Sequence, residues 1–265
     1  MLIAQISDMH IRRKGDLLHH MIHTSRELRR AVAAINDFVP RPHFVVATGD
    51  LVDRGKSKEY RRLRAILDQL AMPYFLVAGN HDDHAGLRDE FADHGYLPRS
   101  GSLSYVVETR PVRLVVVDTT RGRGHGGGLD AARLRWLDEK LSRAPATATL
   151  VAMHHPPFDT GIAPLDSHPL RGREELAAIV ATHPQVVRMI GGHIHRACEA
   201  VFGGTVASTA PSTAHQLILD REPSGGYMLR LERPAFVMHR WTGRALTSEI
   251  HPTTGRAAPH LRAVS

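Results

Sequence analysis

The chain has 265 residues, 42% of them hydrophobic, which suits one large α/β domain, or a domain with a small appendage, and permits a sizeable core. Its single cysteine, Cys198, excludes an intramolecular disulfide framework, and its apolar runs are far too short to span a bilayer. A net charge of +7 would suit an anionic partner, but the basic residues are scattered and aromatics are only 5%, so nucleic acid is not an expected partner.

Leu2 to Ser7 is a predicted strand that delivers Asp8 and His10. No charged leader or cleavage site precedes it, so no signal peptide is expected and a cytoplasmic location is. Residues 12–23, with His19, His20 and His23, read as a solvated loop rather than a substrate-facing lid. Thr24-x-x-Glu27 resembles a capping box before a helix with Leu28, Val32, Ile35 and Val39 on one face, stopped by Pro40 and Pro42. A strand at 44–48 delivers Asp50 on a Gly-permitted turn, and a helix is expected at 57–71. A strand at 74–78 then delivers Gly79-Asn80-His81-Asp82. Strand, ligand and helix repeated in this way predict parallel βαβ units with ligands at the carboxyl ends of the strands.

Segments 103–108 and 112–118 read as a strand pair. The Gly-rich run 121–128 lacks phosphate-loop spacing and is expected to be a connector. Asp130 is placed to cap a helix carrying Leu134, Leu137 and Leu141. A strand at 148–153 delivers His154 and His155, a helix follows at about 172–182, and a strand at 186–190 delivers Gly192-His193-x-His195. Short strands are predicted at 199–202, 204–209, 226–232, 235–241 and 246–250, followed by a loosely held tail at 251–265.

Nineteen histidines exceed what packing requires. One ligand set is Asp8, His10, Asp50 and His195. The other is Asp50, Asn80, one of the His154–His155 pair, and His193, with Asp50 as the bridge. Mixed nitrogen and oxygen ligation suits two divalent ions of manganese, iron, zinc or cobalt. With a bridging hydroxide and a neutral Asn80 the centre carries about +1, attractive to a singly charged phosphodiester. Such a pair of ions lowers the pKa of bound water and clamps the attacking and leaving oxygens. His81 has no place among the ligands and is a candidate to steady the transition state or protonate the leaving alkoxide. Asp53 and Asp82 are candidates to orient neighbouring imidazoles or backbone groups.

The ordered set Asp8-x-His10, Gly49-Asp50-x-x-Asp53, Gly79-Asn80-His81-Asp82, strand-end His and Gly192-His193-x-His195 resembles the calcineurin-like metallophosphoesterase superfamily. Within it the chain is similar to the class III cyclic nucleotide phosphodiesterase group, which includes bacterial glycerophosphodiesterases. The likeness runs from residue 1 to about 250 and includes His154-His155-Pro156-Pro157, Ser208-Thr209-Ala210-Pro211, Ala214-His215-Gln216 and Met238-His239-Arg240. It implies a four-layer αββα sandwich of two mixed sheets flanked by helices. It also implies that His154 is the strand-end ligand, that His81 and His215 face the substrate phosphate together with Asn80, and that the chain forms a homo-oligomer. Residues 1–210 would then be the catalytic core, and 211–250 strands that complete the sandwich and supply the oligomer contact.

The reading is a dinuclear metal-dependent phosphodiesterase, with His81 and Asp50 at its catalytic heart. It would hydrolyse small diesters, cyclic nucleotides such as 3',5'-cAMP or glycerophosphodiesters, by attack of a metal-bound hydroxide. A nuclease, a phosphomonoesterase and a non-catalytic scaffold are the rivals. Loops 12–23, 121–128 and 158–170 are this chain's own and leave the substrate open.

Overall fold

The computed structural model describes residues 1–122, 124, 126–218, 228–230, 232–254 and 262–263. The first half runs β1 (Leu2–Ile6), α1 (Thr24–Asn36), β2 (Phe44–Thr48), α2 (Ser57–Leu67), β3 (Tyr74–Val77), α3 (His84–Glu90), β4 (Tyr105–Val107) and β5 (Arg113–Val116). There follow α4 (Ala131–Ser142), β6 (Thr149–Ala152), α5 (Ala163–Asp166), α6 (Arg173–Ala181) and β7 (Val186–Gly191). The rest is strand: β8 (Cys198–Phe202), β9 (Thr205–Thr209), β10 (Gln216–Ile218), β11 (Met228–Arg230), β12 (Ala235–Trp241), β13 (Leu246–Pro252) and β14 (Arg262–Ala263).

These strands form two mixed sheets. The first has the order β13-β12-β1-β2-β3 and the second β14-β8-β9-β7-β6-β5-β4, while β10 and β11 pair separately. In the first, β1, β2 and β3 are parallel and β12 is antiparallel to β1. In the second, β5, β6, β7 and β9 are parallel.

The pleat explains the layering, because successive side chains face opposite sides of a strand. Ile3, Val46 and Val77 of the first sheet pack against Leu114, Val116, Leu150, Ala152 and Ile190 of the second. The alternate residues Leu2, Ala4, Val45, Ala47 and Leu76 pack against Leu28, Val32 and Ile35 of α1 and Leu63, Ile66 and Leu67 of α2. On the far side Val115, Val151 and Met189 meet Leu137 and Leu141 of α4 and Leu176 and Val180 of α6. This is the four-layer sandwich of two sheets between helices. Gln5 ties the two sheets together, its Nε2 donating to Thr48 Oγ1 at 2.9 Å and to the Gly191 carbonyl at 2.8 Å.

Three local expectations fail, the first being Val39, which lies beyond the end of α1 at Asn36 and is exposed rather than on its buried face. Thr24 does not cap α1: it lies in the first turn, His23 takes the cap position without a side-chain bond, and Glu27 pairs with Arg30 at 3.0 Å. The helix expected at 57–71 stops at Leu67, because Asn36 captures the segment beyond, donating to the Gln69 carbonyl and accepting from Ala71 N–H. The Asp130 cap forms, accepting from Arg133 N–H. The strand expected at 226–232 falls partly, and the tail at 251–265 mostly, outside the described residues. Among the described residues no helix is long and apolar enough to cross a membrane.

Candidate metal centre

The carboxyl ends of β1, β2, β3, β6 and β7 meet at one edge of the sandwich. Each loop turns sharply there. Asp8, His10, Asp50, His193 and His195 all have positive φ, from 43° to 73°, a region non-glycine residues rarely occupy. Strain of this kind persists where the surroundings over-determine it. Among the described non-glycine residues only His19 and His20 share it. The loops also interlock: Asp8 N–H donates to Gly49 O, and His10 N–H to Asp50 O. Gly79 and Gly192 permit the close approach, since a Cβ would lie 2.2 Å from Asp50 N at the first and 2.0 Å from Ser7 Oγ at the second.

Asp8, His10, Asp50 and His195 form one buried group able to hold an ion, their ligating atoms all within 4.8 Å of one another. His10 Nε2 and His195 Nε2 face each other at 3.1 Å, with Asp50 Oδ2 3.6 Å from the former and Asp8 Oδ1 3.6 Å from the latter. His195 Nδ1 donates to the His215 carbonyl at 3.2 Å, which leaves the Nε2 lone pair turned inward. Burial holds His10 and His195 well below the usual histidine value, hence neutral, as ligands must be.

Beside it, His154 repeats the arrangement. Its Nδ1 donates to the Thr48 carbonyl at 2.8 Å, and its Nε2 lies 3.2 Å from Asn80 Oδ1 and 3.4 Å from Asp50 Oδ1. The His193 ring lies 5.1 Å from that of His154 and 4.6 Å from that of His155. His154, His155 and His193 together form a second group able to hold an ion. His155 is held from outside, its Nδ1 paired with Thr119 Oγ1 at 2.8 Å, and its buried Nε2 has no hydrogen-bond partner among the described residues. The structure therefore brings both members of the strand-end pair to the centre.

The charges ask for a cation. Burial pushes Asp8 up to about 7, with His154 only partly countering it and Asp50 adding to it. His154 rises to about 9: burial opposes its charge, but Asp50 outweighs burial. Asp50 stays well below the usual carboxylate range, since His154 and His10 overcome its own burial. Buried carboxylates are costly unless paired, and two divalent ions, displacing the His154 proton, would compensate this set of oxygens and imidazoles. The donor set fits divalent metal.

The remaining predicted residues surround this core. Asp82 accepts from the N–H groups of Gly79, Leu51 and Val52 and from Tyr60 Oη, so its carboxylate braces the turn that carries Asp50. The Asp53 carbonyl pairs with His81 Nδ1 at 2.9 Å, and its carboxylate lies 3.8 Å from His10 Nδ1. His81 N–H donates to Asp50 Oδ1, and its ring stands edge-on to His10 at 4.7 Å. Burial works against the His81 cation, but Asp50 and the Asp53 carbonyl raise it above the usual value. His10, Asp53 and His81 are themselves close enough to hold an ion. The His215 ring lies 4.5 Å from that of His195 and is held down to about 4 by burial and by His19.

That last contact corrects the reading of loop 12–23 as merely solvated. Leu18 and Ile22 pack on Ala214, and the His19 ring stands 5.7 Å from His215 at the border of the centre. A cavity of about 690 Å³ opens on the other side, with Asn80 and His81 in its wall.

The family model for calcineurin-like phosphoesterases matches residues 1–197. The chain is 31% identical over 265 residues to a glycerophosphodiester phosphodiesterase of Enterobacter lignolyticus, covering 98% of this chain and 94% of that one. It is 29% identical over 250 residues to a 3',5'-cyclic adenosine monophosphate phosphodiesterase of Escherichia coli, covering 94% and 88%. Its fold is similar to that of a dimetal phosphatase from Danio rerio, with a TM-score of 0.69 at 17% identity and 96% of both chains covered.

Proposed function

The chain belongs to the calcineurin-like phosphoesterase family, and from that premise we propose that it is a dinuclear metal-dependent phosphodiesterase of small diesters, cyclic nucleotides or glycerophosphodiesters. The observation that carries this reading is the position of Asp50. One of its oxygens faces His10 and the other faces His154, so a single carboxylate borders both ligand groups.

Asp8, His10, Asp50 and His195 would hold one ion, and Asp50, Asn80, His154 and His193 the other, from manganese, iron, zinc or cobalt. Such a pair supplies an activated water and charge on the attacking and leaving oxygens. The chain does the rest. Asn80, with its Oδ1 toward His154, keeps its amide nitrogen for a phosphate oxygen. A carbonyl only accepts, so His81 Nδ1 carries a proton toward Asp53 and Nε2 is the nitrogen that protonates the leaving oxygen. His215 orients the phosphate from the opposite side, and Asp53 and Asp82 fix His81 and the Asp50 turn. Water adds to phosphorus and gives one proton to solvent, the bond to the leaving alcohol breaks, and that alcohol departs with the His81 proton, which solvent restores.

We place the catalytic core in residues 1–210 and the oligomer contact in the strands after it, in a cytoplasmic homo-oligomer. The test is hydrolysis of bis(p-nitrophenyl) phosphate by the manganese-loaded protein together with metal analysis of Asp50→Ala. The variant is expected to lose both ions and turnover. An Asp50→Ala protein with two ions and full activity would overturn the reading.

A further inference from the structure

The cavity beside His81 has a distinctive wall. Among its described lining residues there is no phenylalanine, tyrosine, tryptophan or branched aliphatic side chain. A nucleobase gains much of its binding from an aromatic stacking partner or an apolar slot. The only aromatic rings among its described lining residues are the imidazoles of His81 and His84, the latter tied through Nε2 to Thr120 Oγ1 at 2.8 Å. Its wall suits a hydrophilic group.

The charges narrow the choice. Three carboxylates border the cavity, and each is engaged. Asp82 is turned into the backbone of the Asp50 loop. Asp83 accepts from Gly86 N–H at 2.8 Å. Asp53 lies 3.5 Å from both Arg12 Nε and Arg54 Nε. Arg54 and Lys56 are the cations of the described wall, and among the described residues Lys56 has no ion-pair partner. Their placement is built in. The buried Glu59 carboxylate accepts from Arg54 N–H at 3.0 Å and Lys56 N–H at 3.1 Å, folding the segment back onto the cavity.

We propose that this cavity receives the leaving alcohol of the diester and selects a polyol that bears its own anionic group, a phosphate or carboxylate, held by Lys56 with Arg54. The proposal rests on the phosphodiesterase reading above. Lys56 is a specificity-determining residue and touches the leaving group remote from the reacting phosphorus.

The test uses the full chain loaded with manganese and three glycerophosphodiesters whose head groups are glycerol phosphate, glycerol and choline. The expected order of kcat/KM is anionic, neutral, cationic, with about fivefold between the extremes for one solvent-exposed charge, carried mainly in KM. Lys56→Ala should compress that range and Lys56→Glu should reverse it. A flat ranking in the unaltered protein, or an unchanged ranking in Lys56→Glu, overturns the proposal. Hydrolysis of bis(p-nitrophenyl) phosphate separates the two failures. If it proceeds while the ranking is flat, only the head-group assignment falls; if it does not proceed, the phosphodiesterase reading falls and takes this proposal with it.

Discussion

His154 Nε2 lies 3.4 Å from Asp50 Oδ1, although the two residues end strands of different sheets. The Thr48 carbonyl accepts from Nδ1, so Nε2 is the nitrogen that would present a lone pair to an ion once the proton favoured by Asp50 is displaced. His155, held by Thr119, approaches the same space from further out.

The pair can be separated by metal analysis. His154→Ala is expected to lose one of two ions, because its Nε2 converges with Asn80 and Asp50. His155→Ala should keep both, with weakened affinity of about 10-fold if it only positions the His193 ring. The reverse pattern would move the ligand assignment to His155.

His81→Asn is expected to keep the full metal content and lose about 10²–10⁴-fold in kcat, the usual worth of a positioned proton donor. The loss should shrink for diesters with acidic leaving groups such as p-nitrophenol, which depart without help. Equal losses on both classes of substrate would remove the proton-donor role and leave His81 a positioning residue.

Chelation should lower stability as well as activity. An ion present at about 100 times its Kd adds about 2.7 kcal/mol, and for a chain of this size that amounts to a fall of about 5–10 °C in Tm on removal. Differential scanning fluorimetry with EDTA, then with manganese restored, measures it. An unchanged Tm would count against a site built for metal.

His239 supplies a pH dependence away from the centre. Burial, aided by Arg188, holds it down to about 3, and it is neutral between Gln5 Oε1 at 3.0 Å and Ser248 Oγ at 2.7 Å. Below about pH 6.5 the unfolded chain takes up a proton that the folded chain refuses until about pH 3, so stability falls as pH falls through that window. His239→Gln should be less stable at pH 7 but lose less on acidification to pH 4.5. Urea unfolding of the two EDTA-treated proteins gives the comparison, and parallel acid limbs would refute it.

The ligand loops were legible because each is a short-range signal: an apolar strand followed within a few residues by Asp, Asn or His at a turn. The parallel sheet followed from the alternation of such strands with helices. What could not be read depends on distant partners. Nothing local to His19 announces that Leu18 and Ile22 will seat on Ala214 and carry it to His215. Asn36 gives no hint that it will end α2 by binding the Gln69 and Ala71 backbone. Thr24-x-x-Glu27 had the right letters, but Arg30 competed for the glutamate.

His10 and His195, whose Nε2 atoms lie 3.1 Å apart, are 185 residues apart in the chain. A nascent polypeptide thus lacks one imidazole of each ligand set until the loop after β7 has been made. Long-range contacts of this kind form late in folding. A complete ligand set therefore waits for the loop after β7: a chain that ends before Gly192 lacks His193 and His195, one imidazole from each of the two sets.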